Sequence, residues 1–236
     1  MGLPKMTLTE RCVMFVSLGS QCSVAAQLRN LGISGASLPF DWIRSPDFNS
    51  VLQILVWGPD GMKQWFRLDQ FELVKTSDQF RLAGLTDEER ASGVCAAIYR
   101  HKSLGLGFYH DFRSDQSLAE QFSALREKYQ RRLKRLWREL AQAKEVVFIR
   151  DELKPNRVDS DHPTQLLRWL DQTFPHLNYR VVWLVRQTKR HYPFLDCTDS
   201  RIEFYMDQHQ PGQPWWRPLT PWRELILKET SKDKAT

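Results

Sequence analysis

A cysteine that follows a glycine turn at the mouth of a helix is a candidate nucleophile, and the sequence offers one in Leu18-Gly19-Ser20-Gln21-Cys22. Val13 to Leu18 is a compact run of strand formers ended by Gly19-Ser20. Val24, Ala25, Leu28 and Leu31 then recur at helical spacing up to a stop at Gly32. This spacing sets Cys22 in the first turn of a helix. Unsatisfied backbone N–H groups and the positive end of the dipole are expected there to lower the pKa of its thiol and raise its nucleophilicity. Read without chemistry, the same turn buries Cys22 under the sheet and leaves Ser20 or Gln21 to cap the helix.

A thiol nucleophile works with a base. Of His101, His110, His162, His176, His191 and His209, His110 is preferred, because Tyr109-His110-Asp111-Phe112 sets a polar pair among aromatics at the rim of a core. A third group would orient the imidazole. Asp151, directly after Val146 to Arg150, is the first candidate, with Asp41 and Asp111 as alternatives. The backbone N–H of Cys22 and the side chain of Gln21 or Ser20 are the candidate donors to an oxyanion. Together these residues support attack of a Cys22 thiolate on a carbonyl with His110 moving the proton, the chemistry of a cysteine-dependent hydrolase or acyl transferase.

The elements that must position these groups alternate. Strands are expected at 13–18, 146–149, 179–185 and 202–206, and helices at about 24–31, 47–55, 118–143, 163–170 and 221–227. This pattern implies an α/β fold with a mainly parallel central sheet flanked by helices. Residues 65–112 read as a less regular, antiparallel insertion, with short strands at 71–74, 80–82 and 97–101, closed by 108–112 as a short strand or loop. One domain over 1–228 is expected, followed by a polar tail, 229–236, that frays. On the long helix Lys128, Arg131, Arg135 and Arg138 form a basic stripe, read as a solvated face because Glu127 and Glu139 interrupt it.

With 236 residues, 42% of them hydrophobic, the chain can enclose a sizeable core. Its apolar runs fall far short of the roughly 20 residues that cross a bilayer. Met1 to Met6 lacks the pattern of a secretory signal, so a cytoplasmic protein is expected. Cys12, Cys22, Cys95 and Cys197 lie too far apart for a zinc knuckle or a redox pair. No metal and no cofactor is expected. The net charge of +6 and a pI near 9.2 favour an anionic ligand or substrate. Nucleic acid is not expected as a partner, and the oligomeric state is left open.

As a set, several segments resemble the family described as "putative papain-like cysteine peptidases". They are Phe15-Val16-Ser17-Leu18-Gly19-Ser20-Gln21-Cys22, Leu28-Arg29-Asn30-Leu31-Gly32, Pro39-Phe40-Asp41-Trp42, His110-Asp111-Phe112, and Lys128-Tyr129 to Arg132 leading into Val147-Phe148-Ile149-Arg150. The resemblance spans about residues 13 to 186. It implies an acyl or peptide substrate, a thiol nucleophile at Cys22 and a base at His110. It also implies Asp151 or Asp41 as orienting group, with Trp42 and Asp111 lining the site. The alternation of strands and helices departs from the papain fold, and the chain lacks the glutamine several residues before the cysteine that papain-like enzymes use at the oxyanion.

Two rival readings differ in class. In one, the protein is a transferase or binding protein whose same turn holds a nucleotide sugar or another phosphorylated ligand, with Arg150 or Arg186 neutralising its charge. No dinucleotide or P-loop glycine pattern accompanies it. In the other, Trp215-Trp216, Trp222 and the basic helix form an interaction module without chemistry. For those tryptophans, a loop pinned over the core is the commoner role.

Overall fold

The computed structural model describes residues 13–80, 82, 85–152, 154–186, 190–207, 214–218 and 220–227. β1 (Val13–Ser17) passes through the Leu18 to Cys22 turn into α1 (Ser23–Asn30). The two-residue β2 (Ile43–Arg44), α2 (Phe48–Trp57) and α3 (Met62–Trp65) follow. Next come β3 (Phe71–Ser77), α4 (Asp87–Ala91), β4 (Ala96–His101), β5 (Gly107–Arg113) and the long α5 (Leu118–Gln142). The second half adds β6 (Glu145–Glu152), α6 (His162–Thr173), β7 (Asn178–Arg186), β8 (Ile202–Asp207) and α7 (Trp222–Leu227).

These strands form two sheets. One is parallel throughout, in the order β1-β6-β7-β8, and the other is antiparallel, in the order β2-β5-β4-β3. The parallel sheet with helical cover and the antiparallel region are those expected from the residue pattern. Three details differ. The antiparallel sheet starts at Ile43, where β2 pairs Ile43 with Phe108 and Arg44 with Gly107. Phe80 and Leu82 lie outside any strand, and the short helices α3 and α4 stand between strands. A two-residue strand shows no alternation, and a helix of one turn shows no period, so pattern alone finds neither. The expected tail and the N-terminal residues lie outside the described residues.

Alternation along the central strands builds two cores. Val146 and Phe148 of β6, with Val181, Trp183 and Val185 of β7, join the core shared with α2, α5, α6 and the antiparallel sheet. Val147, Ile149, Val182 and Leu184 join Val24 and Leu28 of α1 and Trp222, Leu225 and Ile226 of α7. Each fully buried aliphatic or aromatic side chain contributes roughly 1.5–3 kcal/mol. The sheet is therefore a stiff platform between two layers. α5 opens with a capping box between Ser117 and Glu120 and buries Leu125, Tyr129, Leu133, Leu136 and Leu140 along one face. Its basic stripe is not wholly solvated: Lys128 Nζ lies 2.6 Å from Asp111 Oδ1, and Arg135 donates to the carbonyl of Ser37 at 2.8 Å. Among the described residues no helix is long and apolar enough to cross a membrane.

Candidate active site

The turn that carries Cys22 sits at the C-terminal edge of the parallel sheet, where crevices form in α/β folds. Gly19 and Ser20 both adopt left-handed backbone, at φ 76° and 78°. Glycine is required at the first of these, because a Cβ there would run into Ser45 Oγ. Ser20 is held by Ser45 in both directions: Ser20 N donates to Ser45 Oγ at 2.7 Å, and Ser45 N donates to Ser20 O at 3.2 Å. Arg150 tightens the same junction. Its guanidinium donates to Leu18 O, Ser45 Oγ and Ser45 O, and pairs with Glu152 at 2.9 Å, all fully buried.

Across this junction the two sheets meet. Cys22, from the parallel sheet and its helix, places its sulfur 3.8 Å from Nε2 of His110, from β5 of the antiparallel sheet. The imidazole stands edge-on between Trp42, at 6.1 Å between ring centroids, and Phe80, at 5.8 Å. Asp111 turns to the other side of β5, where Lys128 Nζ and the Tyr129 hydroxyl donate to it at 2.6 and 3.1 Å. Cys22 is buried, with 7% of its surface exposed, so its sulfur is largely stripped of water.

That burial overturns one expectation. Cys22 is the N-cap of α1, one residue before the first turn, and desolvation pushes its thiol up to about 12. The positive charge of Arg44 pulls it down, and Asp111 and Asp41 push it further up. Loss of hydration outweighs the pull of Arg44, and His110 is the neighbour placed to receive the thiol proton.

Three further candidate residues are engaged by other partners. Asp151 sits at the end of β6 as expected, but its carboxylate accepts from Gln21 Nε2 at 2.8 Å and from Ser23 Oγ, and pairs with Arg217 at 2.5 Å. It braces both neighbours of Cys22 and has no bond to His110. Gln21, spent on Asp151, is correspondingly turned away from an oxyanion role. Arg150 holds the fold together and, fully buried with four hydrogen bonds to protein groups, offers no open face to a ligand phosphate. Arg186, half-buried at the end of β7, shares its surroundings with Asp151, Asp207 and Arg217, and burial lowers its pKa. The phosphorylated-ligand reading loses its main cation through Arg150.

Arg217 gave no sequence signal. It follows Trp215-Trp216, which are 48% and 39% exposed, while Arg217 itself is 1% exposed. The arginine is what pins this segment: it donates to Asp207 at 2.7 Å and pairs with Asp151, on left-handed backbone at φ 48°. The tryptophans expected to pin it point outward, apart from Trp222, whose indole N–H donates to Arg217 O at 2.8 Å.

Asp41 lines a cavity of about 30 Å³ with Arg29, Ser37 and Trp42. It accepts from Leu38 N at 2.8 Å, and burial raises its carboxyl to about 6 against the pull of Leu38 N–H, Arg132 and Arg29. A carboxyl whose folded pKa exceeds its unfolded value of about 3.9 contributes stability that is complete below pH 4 and is lost as pH rises through 6. Asp41→Asn keeps an acceptor for Leu38 N–H. It is expected to be about 1–2 kcal/mol more stable than the parent at pH 7, allowing for partial exposure, and no more stable at pH 4. Urea unfolding at the two pH values checks this, and equal differences at both would refute it.

The family whose pattern matches residues 13–189 is described as "putative papain-like cysteine peptidase (DUF1796)". The chain belongs to that family. The match takes in Cys22, His110 and Asp151 and ends before Arg217. The chain is also similar to the uncharacterized protein R408 of Acanthamoeba polyphaga mimivirus, at 28% identity over 223 residues, covering 92% of this chain and 98% of the viral one. No solved structure matches. In this family member the thiol and the imidazole are supplied by different sheets.

Proposed function

We propose that this protein is a cysteine-dependent hydrolase or acyl transferase acting on peptide-like acyl groups. The observation that carries the reading is the 3.8 Å approach of the Cys22 sulfur to His110 Nε2 at a partly open sheet edge. The family description supports it. His110 takes the thiol proton, and the Cys22 sulfur bonds to the substrate carbonyl carbon to give a tetrahedral oxyanion. Backbone N–H groups at the start of α1, which lack intrahelical acceptors, are the donors for that oxygen. On collapse the imidazolium returns its proton to the leaving amine or alcohol, and a thioester remains on Cys22. Water or an acceptor amine, deprotonated by His110, attacks the thioester and releases the acyl product and the free thiol.

The test uses p-nitrophenyl acetate as acyl donor. A burst of p-nitrophenol matching the protein concentration is expected, with an acetyl thioester found by mass spectrometry on Cys22 and absent in Cys22→Ala. Acetylation confined to Cys95, Cys197 or lysines would overturn the reading.

A further inference from the structure

The His110 ring belongs to a row of aromatic side chains that begins at Trp42, continues through Phe80, and ends at Tyr109, whose ring centroid is 4.9 Å from that of Phe80. An arginine closes each end. Arg29 Cζ lies 4.7 Å from the Trp42 ring centre, and Arg44 Cζ lies 4.4 Å from that of Tyr109. Among the described residues neither arginine has a carboxylate at ion-pair distance, whereas Lys128, on the other side of β5, is paired with Asp111.

Arg44 is the more constrained of the two. It is paired with Gly107 across β2 and β5, and a Cβ at Gly107 would come within 2.6 Å of Tyr109 Cε2, so any larger residue there would displace the ring. The bare backbone lets the Tyr109 ring lie against β2, where it forms the shelf under the guanidinium. A single long hydrogen bond, 3.4 Å from Arg44 Nη1 to the Tyr109 hydroxyl, fixes its direction. The next residue, Ser45, is tied both ways to Ser20 in the nucleophile's turn. Arg44 is therefore held beside Cys22 with most of its five N–H donors unengaged among the described residues. A planar guanidinium stacked on an aromatic ring with its fork open is suited to two-pronged binding of a carboxylate. Stabilising a resting thiolate is not its achievement, since burial keeps the Cys22 proton in place.

We propose that Arg44 is the specificity-determining residue of the Cys22 site, and that it takes the carboxylate side chain of an acidic residue beside the scissile carbonyl. The inference rests on the acyl-transfer reading and names its substrate class: acidic peptide segments. A second cation, Arg29, which shares its cavity with Asp41, lies at the far end of the row and extends the same preference across the Cys22-His110 pair. A segment with acids on both sides of the bond can use both ends, whereas one chain-terminal carboxylate can use only one. The net charge of +6 draws such segments in.

The closing experiment does not depend on peptide hydrolysis. Iodoacetate and iodoacetamide are near-isosteric and differ in the carboxylate, and the alkylation rate of each is read at Cys22 by mass spectrometry. Arg44→Gln is expected to lower the iodoacetate-to-iodoacetamide rate ratio about tenfold or more, with Arg44→Lys in between. An unchanged ratio, with or without an equal fall in both rates, overturns the assignment while leaving the nucleophile in place. If neither reagent modifies Cys22, the acyl-transfer reading itself fails and this inference fails with it. Protection from iodoacetamide by N-acetyl-aspartyl methylamide, weakened in Arg44→Gln, is the result expected for an acidic side chain. Protection by N-acetyl-alanine alone would assign Arg44 to a chain-terminal carboxylate and overturn the proposal.

Discussion

His110→Asn is expected to slow acetylation of Cys22 by p-nitrophenyl acetate about a thousandfold at pH 7, within the range for loss of a positioned general base. The physical reason is the state of the sulfur. With burial pushing the thiol up to about 12, only a very small fraction ionises at neutral pH unless a neighbour takes the proton. The sign of the pH dependence follows. In His110→Asn the rate should rise about tenfold per pH unit through pH 8 to 10, because each unit multiplies the thiolate fraction by ten below the thiol pKa. The parent, in which His110 Nε2 is 3.8 Å from the sulfur, should show a much shallower rise over the same interval. Parallel profiles for the two proteins would mean that His110 does not accept the proton. Circular dichroism of the variant guards against a trivial loss of structure, since the ring packs between Trp42 and Phe80.

Arg217→Met should have the largest effect on stability. It removes the guanidinium from between Asp151 and Asp207, whose side chains are 0% and 8% exposed, and leaves two buried carboxylates without the cation in direct contact with them. Breaking a buried pair in this way costs about 3–5 kcal/mol. The loss is expected as a lower urea midpoint with an unchanged slope. The consequence reaches the nucleophile, because Asp151 also receives Gln21 and Ser23, the residues on either side of Cys22. The acetylation burst should therefore slow in Arg217→Met under conditions where the protein is still folded, and Arg217→Lys should recover part of both losses. A variant with parental stability would show that the cluster at the sheet edge is not held by this arginine. Arg217 lies beyond residues 13–189, so the region that defines the family receives a brace from outside it.

The sequence by itself determined the strongly apolar elements. Val13 to Leu18, Val146 to Ile149 and Val181 to Val185 read as buried strands because they are short apolar runs rich in strand formers, and the apolar face of Leu118 to Leu140 reads as a long helix because burial of one face imposes a 3.6-residue repeat. It also singled out Cys22 and His110, since a glycine turn before a helix and a polar pair among aromatics are local signals. Tertiary structure decided what those residues experience. No local pattern shows that Cys22 caps its helix inside a layer of protein, so its pKa, set by desolvation, moved opposite to the direction its helix position implied. Asp151 was found at the right strand end, yet its partners come from residues 21, 23 and 217, and choosing between them and His110 depends on how chains distant in sequence pack. Arg44 and Arg217 gave no signal for the same reason: an isolated arginine acquires a role only from the shelf, carboxylate or open space that folding sets against it.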